Sequence, residues 1–187
     1  FNYSDADVLQ ATAELFNNVC DIIPDDVTVL FENLWWPGLR LIDFNLVERF
    51  FASLNKTNVG IMLDTGHLMN TNRQLTSEAE GIGYVCRTVQ ALGSLKRLIK
   101  GVHLSCSLSG SYQQSFEKIV PLQVDYEVLL THIGKIDRHQ PFTVPEAEAI
   151  LEAVQPQYLV HELFYDNLTD LGGKLRQQQK ACGLRSR

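Results

Sequence analysis

The feature that most constrains the fold is a short apolar run that stops abruptly at charged side chains. Residues Val59 to Leu63 are continuous and apolar, and Asp64 and His67 follow almost at once. An apolar run of this length, bounded by turn residues, predicts a strand buried on both faces, as in a parallel sheet. We therefore expect the chemistry of this segment at the carboxyl end of the strand.

Three further apolar runs end in side chains that can bind a metal. Together the four predicted strand ends carry Glu32, Asp64, His103 and Glu162, with His67 one turn beyond Asp64. Parallel strands of a barrel point the same way, so these side chains should meet at one mouth. Mixed carboxylate and imidazole ligands suit Mn²⁺, Zn²⁺, Co²⁺ or Fe²⁺ better than Mg²⁺ or Ca²⁺. Because burying such charges together without a cation is costly, the sequence predicts a transition-metal site.

Helical patterns separate the strands. They are predicted from Ser4 to about Cys20, after the cap Asp43, from Glu78 to about Leu98 with a break at Gly93, near Tyr126 to Ile136, after Pro145, and from Leu168 toward Cys182. The βα alternation favours a parallel α/β fold with right-handed crossovers. A complete eight-stranded barrel needs about 250 residues, so we expect residues 1–187 to form one domain that is a partial barrel. It is either a half barrel that pairs with another copy or the C-terminal part of a longer chain, and the opening helix favours the second.

Three loops have predicted roles near the site. Trp35 and Trp36 follow the Glu32 strand, and adjacent tryptophans in a loop favour a pocket edge that contacts substrate, the alternative being a hydrophobic plug. The stretch from Met69 to Ser77 is predicted to be a polar loop. The small polar residues from Ser105 to Ser111 predict a flexible, solvent-facing loop that acts as a lid.

Composition narrows the classes of partner. The chain of 187 residues is 45% apolar, enough for a sizeable core, and its net charge of −6 gives no long-range attraction to phosphate backbones, so nucleic acid is possible but not favoured. No apolar run approaches the roughly 20 residues that span a bilayer. The four scattered cysteines form no zinc or redox motif. We expect a cytoplasmic protein that binds a small-molecule substrate and no membrane.

Short motifs surround the four strand ends: Glu32 with Trp36-Pro37-Gly38 behind it, Asp64-Thr65-Gly66-His67, His103-Leu104-Ser105, and His161-Glu162. They resemble the C-terminal half of the xylose-isomerase-like TIM barrels, which include endonuclease IV, also called AP endonuclease family 2, and the sugar epimerases. The resemblance spans nearly the whole chain. It implies the C-terminal half of a (β/α)8 TIM barrel, with a divalent metal held at its mouth by Glu32, Asp64, His103 and Glu162. In the isomerases the residue matching His67 contacts substrate, whereas in the endonucleases it is similar to a zinc ligand.

Departures from both branches of the family are visible. Endonuclease-IV-like proteins bind further zinc with an Asp-x-His element about a dozen residues beyond the position of His103, where this chain reads Ser115 to Ile119. The letters Asp137-Arg138-His139 occur far downstream, after a helix, and we interpret them as unrelated to the site. The epimerases commonly carry an Arg shortly after the matching His, near where Ser109 stands here.

The leading functional hypothesis is a divalent-metal-dependent isomerase or epimerase of a sugar or related hydroxy-carbonyl compound, acting by proton transfer at the α-carbon. Glu32 and Glu162 would serve as base and acid. The alternatives are a metal-dependent phosphodiesterase acting on abasic DNA, which needs more ligands than this chain visibly supplies, and a non-catalytic barrel fragment. A half barrel would also have open sheet edges and an apolar face. This predicts self-association through apolar positions, namely Val29, Phe31, Ile61, Leu63 and Val102.

Overall fold

The computed structural model describes residues 2–116 and 125–184. Its centre is a sheet of parallel strands that pair in chain order. The strands are β1 (Val29–Glu32), β2 (Val59–Asp64), β3 (Ile99–Leu104) and β4 (Tyr158–His161). The predicted α/β fold of four parallel strands alternating with helices is confirmed, and it is consistent with a partial TIM barrel.

Helices connect the strands and flank the sheet. They are α1 (Asp5–Val19), α2 (Phe44–Ala52), α3 (Thr65–Asn70), α4 (Glu78–Ala91), α5 (Gly110–Ser115), α6 (Tyr126–Ile136), α7 (Glu148–Val154) and α8 (Leu168–Ala181). Short 3₁₀ helices cover Cys20–Ile22, Gly93–Leu98 and Pro145–Ala147. Ser4 begins α1 with a capping box, as predicted, and Asp43 caps α2. No helix in the described ranges is long and apolar enough to cross a membrane.

The two faces of the sheet have different surroundings. Ile61, Leu63 and Val102 are fully buried in the main hydrophobic core, which includes residues of α2, α4 and α7. Asp64 and His103, which are register partners, lie on the opposite face. The prediction that Ile61, Leu63 and Val102 form an interface between copies is therefore wrong, because side chains already buried within one chain cannot supply it.

Self-association itself stays a prediction, as does the part assigned to Val29 and Phe31, which are only half-buried. The structure adds a second apolar surface on β4. Tyr158 and Val160 of β4 are exposed and pair in register with Gly101 and His103, on the face opposite the core. An exposed apolar strand at a sheet edge is a site for pairing with another chain. Sedimentation of the chain at micromolar concentration tests this, with Val160→Lys expected to reduce any association.

Two predicted loops are wrong in part or in full. Asp64 caps α3 directly, so Met69 and Asn70 lie in that helix and are buried rather than in a polar loop. The serines at 105, 107 and 109 are also buried, so the predicted solvent-facing lid is instead packed into the protein. The break in the third predicted helix is confirmed, because α4 ends at Ala91 and Gly93 has a positive φ of 55°.

Candidate metal centre

The carboxyl ends of β1 and β2 are tied together by one buried amide. Asn33 Nδ2 donates to Asp64 O at 3.0 Å, and Asp64 N donates to Asn33 Oδ1 at 2.8 Å. The Asp64 carboxylate then accepts from His67 N at 2.6 Å through Oδ1, which starts α3. This arrangement fixes Asp64 and His67 and leaves Asp64 Oδ2 without a hydrogen bond in the described ranges, 3.9 Å from His103 Nδ1.

The four predicted ligands lie close together at the carboxyl ends of the strands. We call them the first group: Glu32, Asp64, His103 and Glu162. Ligand atoms of Glu32, Asp64 and His103 all lie within 4.8 Å of one another. His103 Nδ1 lies 3.3 Å from Glu32 Oε2 and 2.9 Å from Glu162 Oε2. Their assignment as ligands stays a prediction, but the arrangement could hold a metal ion.

The electrostatics of the first group favour a cation. Contacts with His103 and then His67 lower the pKa of Glu32 to about 2, and the contact with His103 also lowers the pKa of Glu162. Burial raises the pKa of Asp64 to about 7. The adjoining Glu162 and Glu32 carboxylates raise the pKa of His103 to about 10. Three carboxylates thus surround one imidazole, and a divalent cation would offset their excess negative charge.

A second set of side chains that could bind metal adjoins the first, and we call it the second group: His67, Asp137 and His139. Their ligand atoms also lie within 4.8 Å of one another. Asp137 Oδ2 lies 3.0 Å from His67 Nε2 and 2.7 Å from His139 Nε2. The interpretation of Asp137-Arg138-His139 as unrelated to the site is therefore wrong, because the turn after α6 brings this element back to His67.

The outer nitrogens of both imidazoles contact backbone carbonyls. His67 Nδ1 lies 2.8 Å from Asn33 O, and His139 Nδ1 lies 3.2 Å from Glu162 O. Donation from Nδ1 leaves Nε2 of each ring as the nitrogen that can bind a metal, which is the usual outer-shell pattern of metal-binding histidines. Both Nε2 atoms point at the same Asp137 oxygen.

Charge contacts dominate the titration of the second group. Burial alone lowers the pKa of His67, but the contacts with Asp137 and Glu32 outweigh it and raise that pKa to about 11. The same balance of burial and the Asp137 contact raises the pKa of His139. Burial raises the pKa of Asp137, yet hydrogen bonds from His139 and His67 produce a net lowering. The carboxylate is thus kept ionised between two imidazoles.

Aromatic rings border the second group on two sides. Trp35 packs against His67 with ring centroids 4.7 Å apart, and Trp36 packs on Trp35 at 4.4 Å. On the other side, Phe164 covers His139 at 4.4 Å. The role of His67, Trp35 and Trp36 in substrate binding stays a prediction, but Trp35 lies beside the site, as the sequence indicated.

The sequence interpretation missed Asp137, His139 and Phe164. The Asp-x-His letters were a usable signal, but their distance along the chain from His103 argued against them. Residues 117–124, which include part of the Ser115 to Ile119 stretch compared with the endonucleases, lie outside the described residues. After that stretch α6 leads directly to Asp137, so sequence separation was a poor measure of spatial distance.

A cavity of about 730 Å³ lies beside the second group rather than over it. Arg138, between Asp137 and His139, contributes to its wall together with Cys106 and Lys174. None of the first-group or second-group side chains is among the described lining residues. Volume alone therefore does not identify the candidate site, and the converging ligand atoms do.

One of three comparisons with known proteins gave a match. A search of curated proteins and a search of solved structures each gave no match. The family model described as "Xylose isomerase-like TIM barrel" matches residues 2–181. That range contains the whole described sheet and both groups of side chains. The chain therefore belongs to the xylose isomerase-like TIM barrel family.

Proposed function

We propose that this chain carries the site of a metal-dependent phosphodiesterase that uses ions held by the first and second groups. The observation that carries this proposal is the 3.0 Å contact between His67 Nε2 and Asp137 Oδ2. The family resemblance gives the residue at His67 two roles, a substrate contact in the isomerases and a metal ligand in the endonucleases. A nitrogen directed at Asp137 and His139 favours the ligand role. The second group also supplies the additional ligands that the phosphodiesterase hypothesis needs.

The fit of these residues to metal ions rests on buried atoms that lack a well-directed hydrogen bond. Within the described ranges, no hydrogen-bond partner is found for Asp64 Oδ2 or Asp137 Oδ1. His103 Nδ1 and Glu162 Oε2 form an ion pair at 2.9 Å, but neither atom makes a contact with hydrogen-bond geometry in the described ranges. An unsatisfied buried polar atom costs about 1–3 kcal/mol, and more when it is charged. The four atoms belong to the two groups, and their imidazole and carboxylate chemistry suits Zn²⁺, Mn²⁺ or Co²⁺.

Divalent ions bound here would activate water and stabilise the charge that develops on the phosphoryl and leaving oxygens. Neighbouring residues of the protein position the proposed ligands and shield them from water. Glu32 lies between the groups, with Oε1 3.1 Å from His67 Nδ1 and Oε2 3.3 Å from His103 Nδ1. Its lowered pKa keeps it ionised at neutral pH. Trp35 and Phe164 cover faces of the two second-group imidazoles and limit the access of water to them.

Hydrolysis of a phosphodiester tests the proposal. The chain, loaded with Zn²⁺, Mn²⁺ or Co²⁺, is incubated with bis(p-nitrophenyl) phosphate and with a DNA duplex that contains one abasic site. We expect cleavage that depends on metal, and His139→Ala, which removes a proposed ligand, should reduce it by at least the about 10–100-fold that loss of an outer-shell partner causes. His132→Ala is the matched control, since His132 contacts Tyr112 and belongs to neither group.

Two results would overturn the proposal: no cleavage by metal-loaded wild-type chain, or cleavage that His139→Ala leaves unchanged. Cleavage of the duplex that falls steeply with salt would indicate nucleic acid as the substrate class. Cleavage of the small diester alone would indicate a small phosphodiester.

The second candidate is the isomerase or epimerase reaction at a hydroxy-carbonyl compound. It is favoured by the approach of Glu32 Oε2 and Glu162 Oε2 to the same nitrogen of His103. Such a pair can divide the roles of base and acid when its surroundings separate the two pKa values. The test is exchange of the α-proton of ketoses into deuterated water, which Glu162→Gln should abolish while metal stays bound. Retained exchange in that variant would contradict the assignment.

A further inference from the structure

The peptide groups on both sides of Asp137 are bound by one buried hydroxyl. Ser107 Oγ lies 2.8 Å from Ile136 O and accepts a hydrogen bond from Arg138 N at 3.1 Å. Ser107 is almost fully buried, in the segment after β3. A single side chain thus fixes the backbone immediately before and immediately after a second-group carboxylate.

The same hydroxyl is connected to the helix that carries His67. Ser107 Oγ lies 3.0 Å from Oδ1 of Asn70, the last residue of α3, so its one hydrogen is shared between Asn70 and the Ile136 carbonyl. Asn70 is also buried. Since α3 begins next to Asp64 and contains His67, a continuous path of contacts runs from His67 through Asn70 and Ser107 to Asp137.

A separate contact holds the far end of the turn. Cys106 N donates to Gln140 O at 2.7 Å, and Gln140 N donates to Cys106 O at 3.1 Å. These backbone bonds do not involve the Ser107 hydroxyl. Loss of that hydroxyl should therefore leave the turn attached to the segment after β3 while releasing the peptides that flank Asp137.

We infer that Ser107, held by Asn70, is a positioning residue that sets Asp137 against His67 and so determines metal affinity at the second group. This inference rests on the proposed function, because it needs the second group to bind metal. Ser107 contacts backbone rather than a ligand atom, and it acts by restricting where the carboxylate can lie. The buried serines of the predicted lid are, in this view, a support for the second group.

Metal titration against a colorimetric chelator tests the inference with Zn²⁺ as the probe. Wild-type chain should show two classes of site, and His139→Ala identifies the class that belongs to the second group. Ser107→Ala should weaken that class by about 10-fold, at the low end of outer-shell effects, and leave the other class unchanged. Ser107→Thr, which keeps a hydroxyl, should restore affinity toward wild type.

Ser109→Ala is the matched control, because Ser109 Oγ contacts Asn70 Oδ1 at 2.7 Å and no described contact joins it to residues 136–138. Thermal melting checks folding, and Ser107→Cys, a near-isosteric weak donor, replaces the alanine variant if that variant does not fold. Equal weakening of both classes, or equal effects of the Ser107 and Ser109 variants, would overturn the inference. Wild-type chain with no second class of site would overturn the proposed function instead.

Discussion

The two groups of candidate ligands differ in how they are held and in how open they are. The first group comes from the ends of four adjacent strands, and its Glu32 and Glu162 side chains are 34% and 37% exposed. The second group comes from α3 and the turn after α6, and the side chains of His67, Asp137 and His139 are 10%, 6% and 7% exposed. Catalytic metal sites keep an open position, whereas structural sites are closed.

The difference in exposure indicates separate tasks for the two adjacent groups. The first group, open at Glu32 and Glu162 although Asp64 is fully buried, is expected to meet the substrate. The second group, enclosed by Trp35 and Phe164, is expected to hold its ion more permanently. The two groups are connected by Glu32 Oε1 and His67 Nδ1, which lie 3.1 Å apart.

The largest effect is expected from Asp64→Ala, because Asp64 serves both groups. Its Oδ2 faces the first group, and its Oδ1 holds the His67 amide at 2.6 Å. Metal affinity should fall at both classes of site, and by more than the about 10–100-fold that loss of an outer-shell contact causes. Metal analysis after dialysis measures it, with the exposed Asp26→Ala as the control. Loss at one class alone would show that the groups are independent.

A smaller, mainly structural effect is expected from Asn33→Ala. The Asn33 side chain satisfies both backbone groups of Asp64 and is fully buried. Its removal leaves a buried N–H and a buried C=O without partners, which should lower the free energy of unfolding by about 1–3 kcal/mol for each group. Chemical denaturation of metal-free chain measures the change. The prediction is contradicted if stability is unchanged.

Metal binding should release protons at neutral pH. In the metal-free chain the pKa values of His67 and His103 are raised to about 11 and about 10. The two protonated imidazoles contribute to the free energy of unfolding. This contribution is complete below the unfolded pKa of about 6.5 and is lost as pH rises through the raised folded-state values. Calorimetry in buffers of different ionisation enthalpy should give at least two protons released per chain at pH 7, from His67 and His103, since ligands bind deprotonated. Further release is expected from His139 and Asp64, whose pKa values are also raised. Affinity should also rise from pH 6 to pH 8, and a flat profile would contradict this.

The smallest effect on metal binding is expected from the tryptophans, and it sharpens the contrast between them. Trp35 contacts His67, whereas Trp36 contacts Trp35 and is partly exposed. Trp35→Ala should weaken the second class of metal site by a few fold, below the about 10-fold lower bound for outer-shell residues. Trp36→Ala should leave both classes unchanged and raise KM, as measured by steady-state kinetics. A change in metal affinity with Trp36→Ala would contradict its assignment to the substrate side.

Much of the fold could be predicted because it depends on local patterns. The apolar run before Asp64 predicted a buried strand, and Ser4 and Asp43 predicted helix starts. Strand ends of a parallel sheet meet at one edge whatever the intervening loops do. That is why Glu32, Asp64, His103 and Glu162 could be grouped from the sequence alone.

The second group and the role of the segment after β3 depend on contacts between residues that are far apart in the sequence. The segments that contain Asn70, Ser107 and Ser109 were predicted to be a polar loop and a solvent-facing lid, yet all three side chains are buried. The two serine hydroxyls contact Asn70 Oδ1, and Ser107 also bonds to the backbone. Burial of a polar side chain depends on partners supplied from distant parts of the chain. Asp137 likewise reaches His67 only through the path of α6 and its return turn. The sequence determines whether a side chain is polar. Its hydrogen-bond partners, however, come from distant parts of the chain and become neighbours only when the chain is folded.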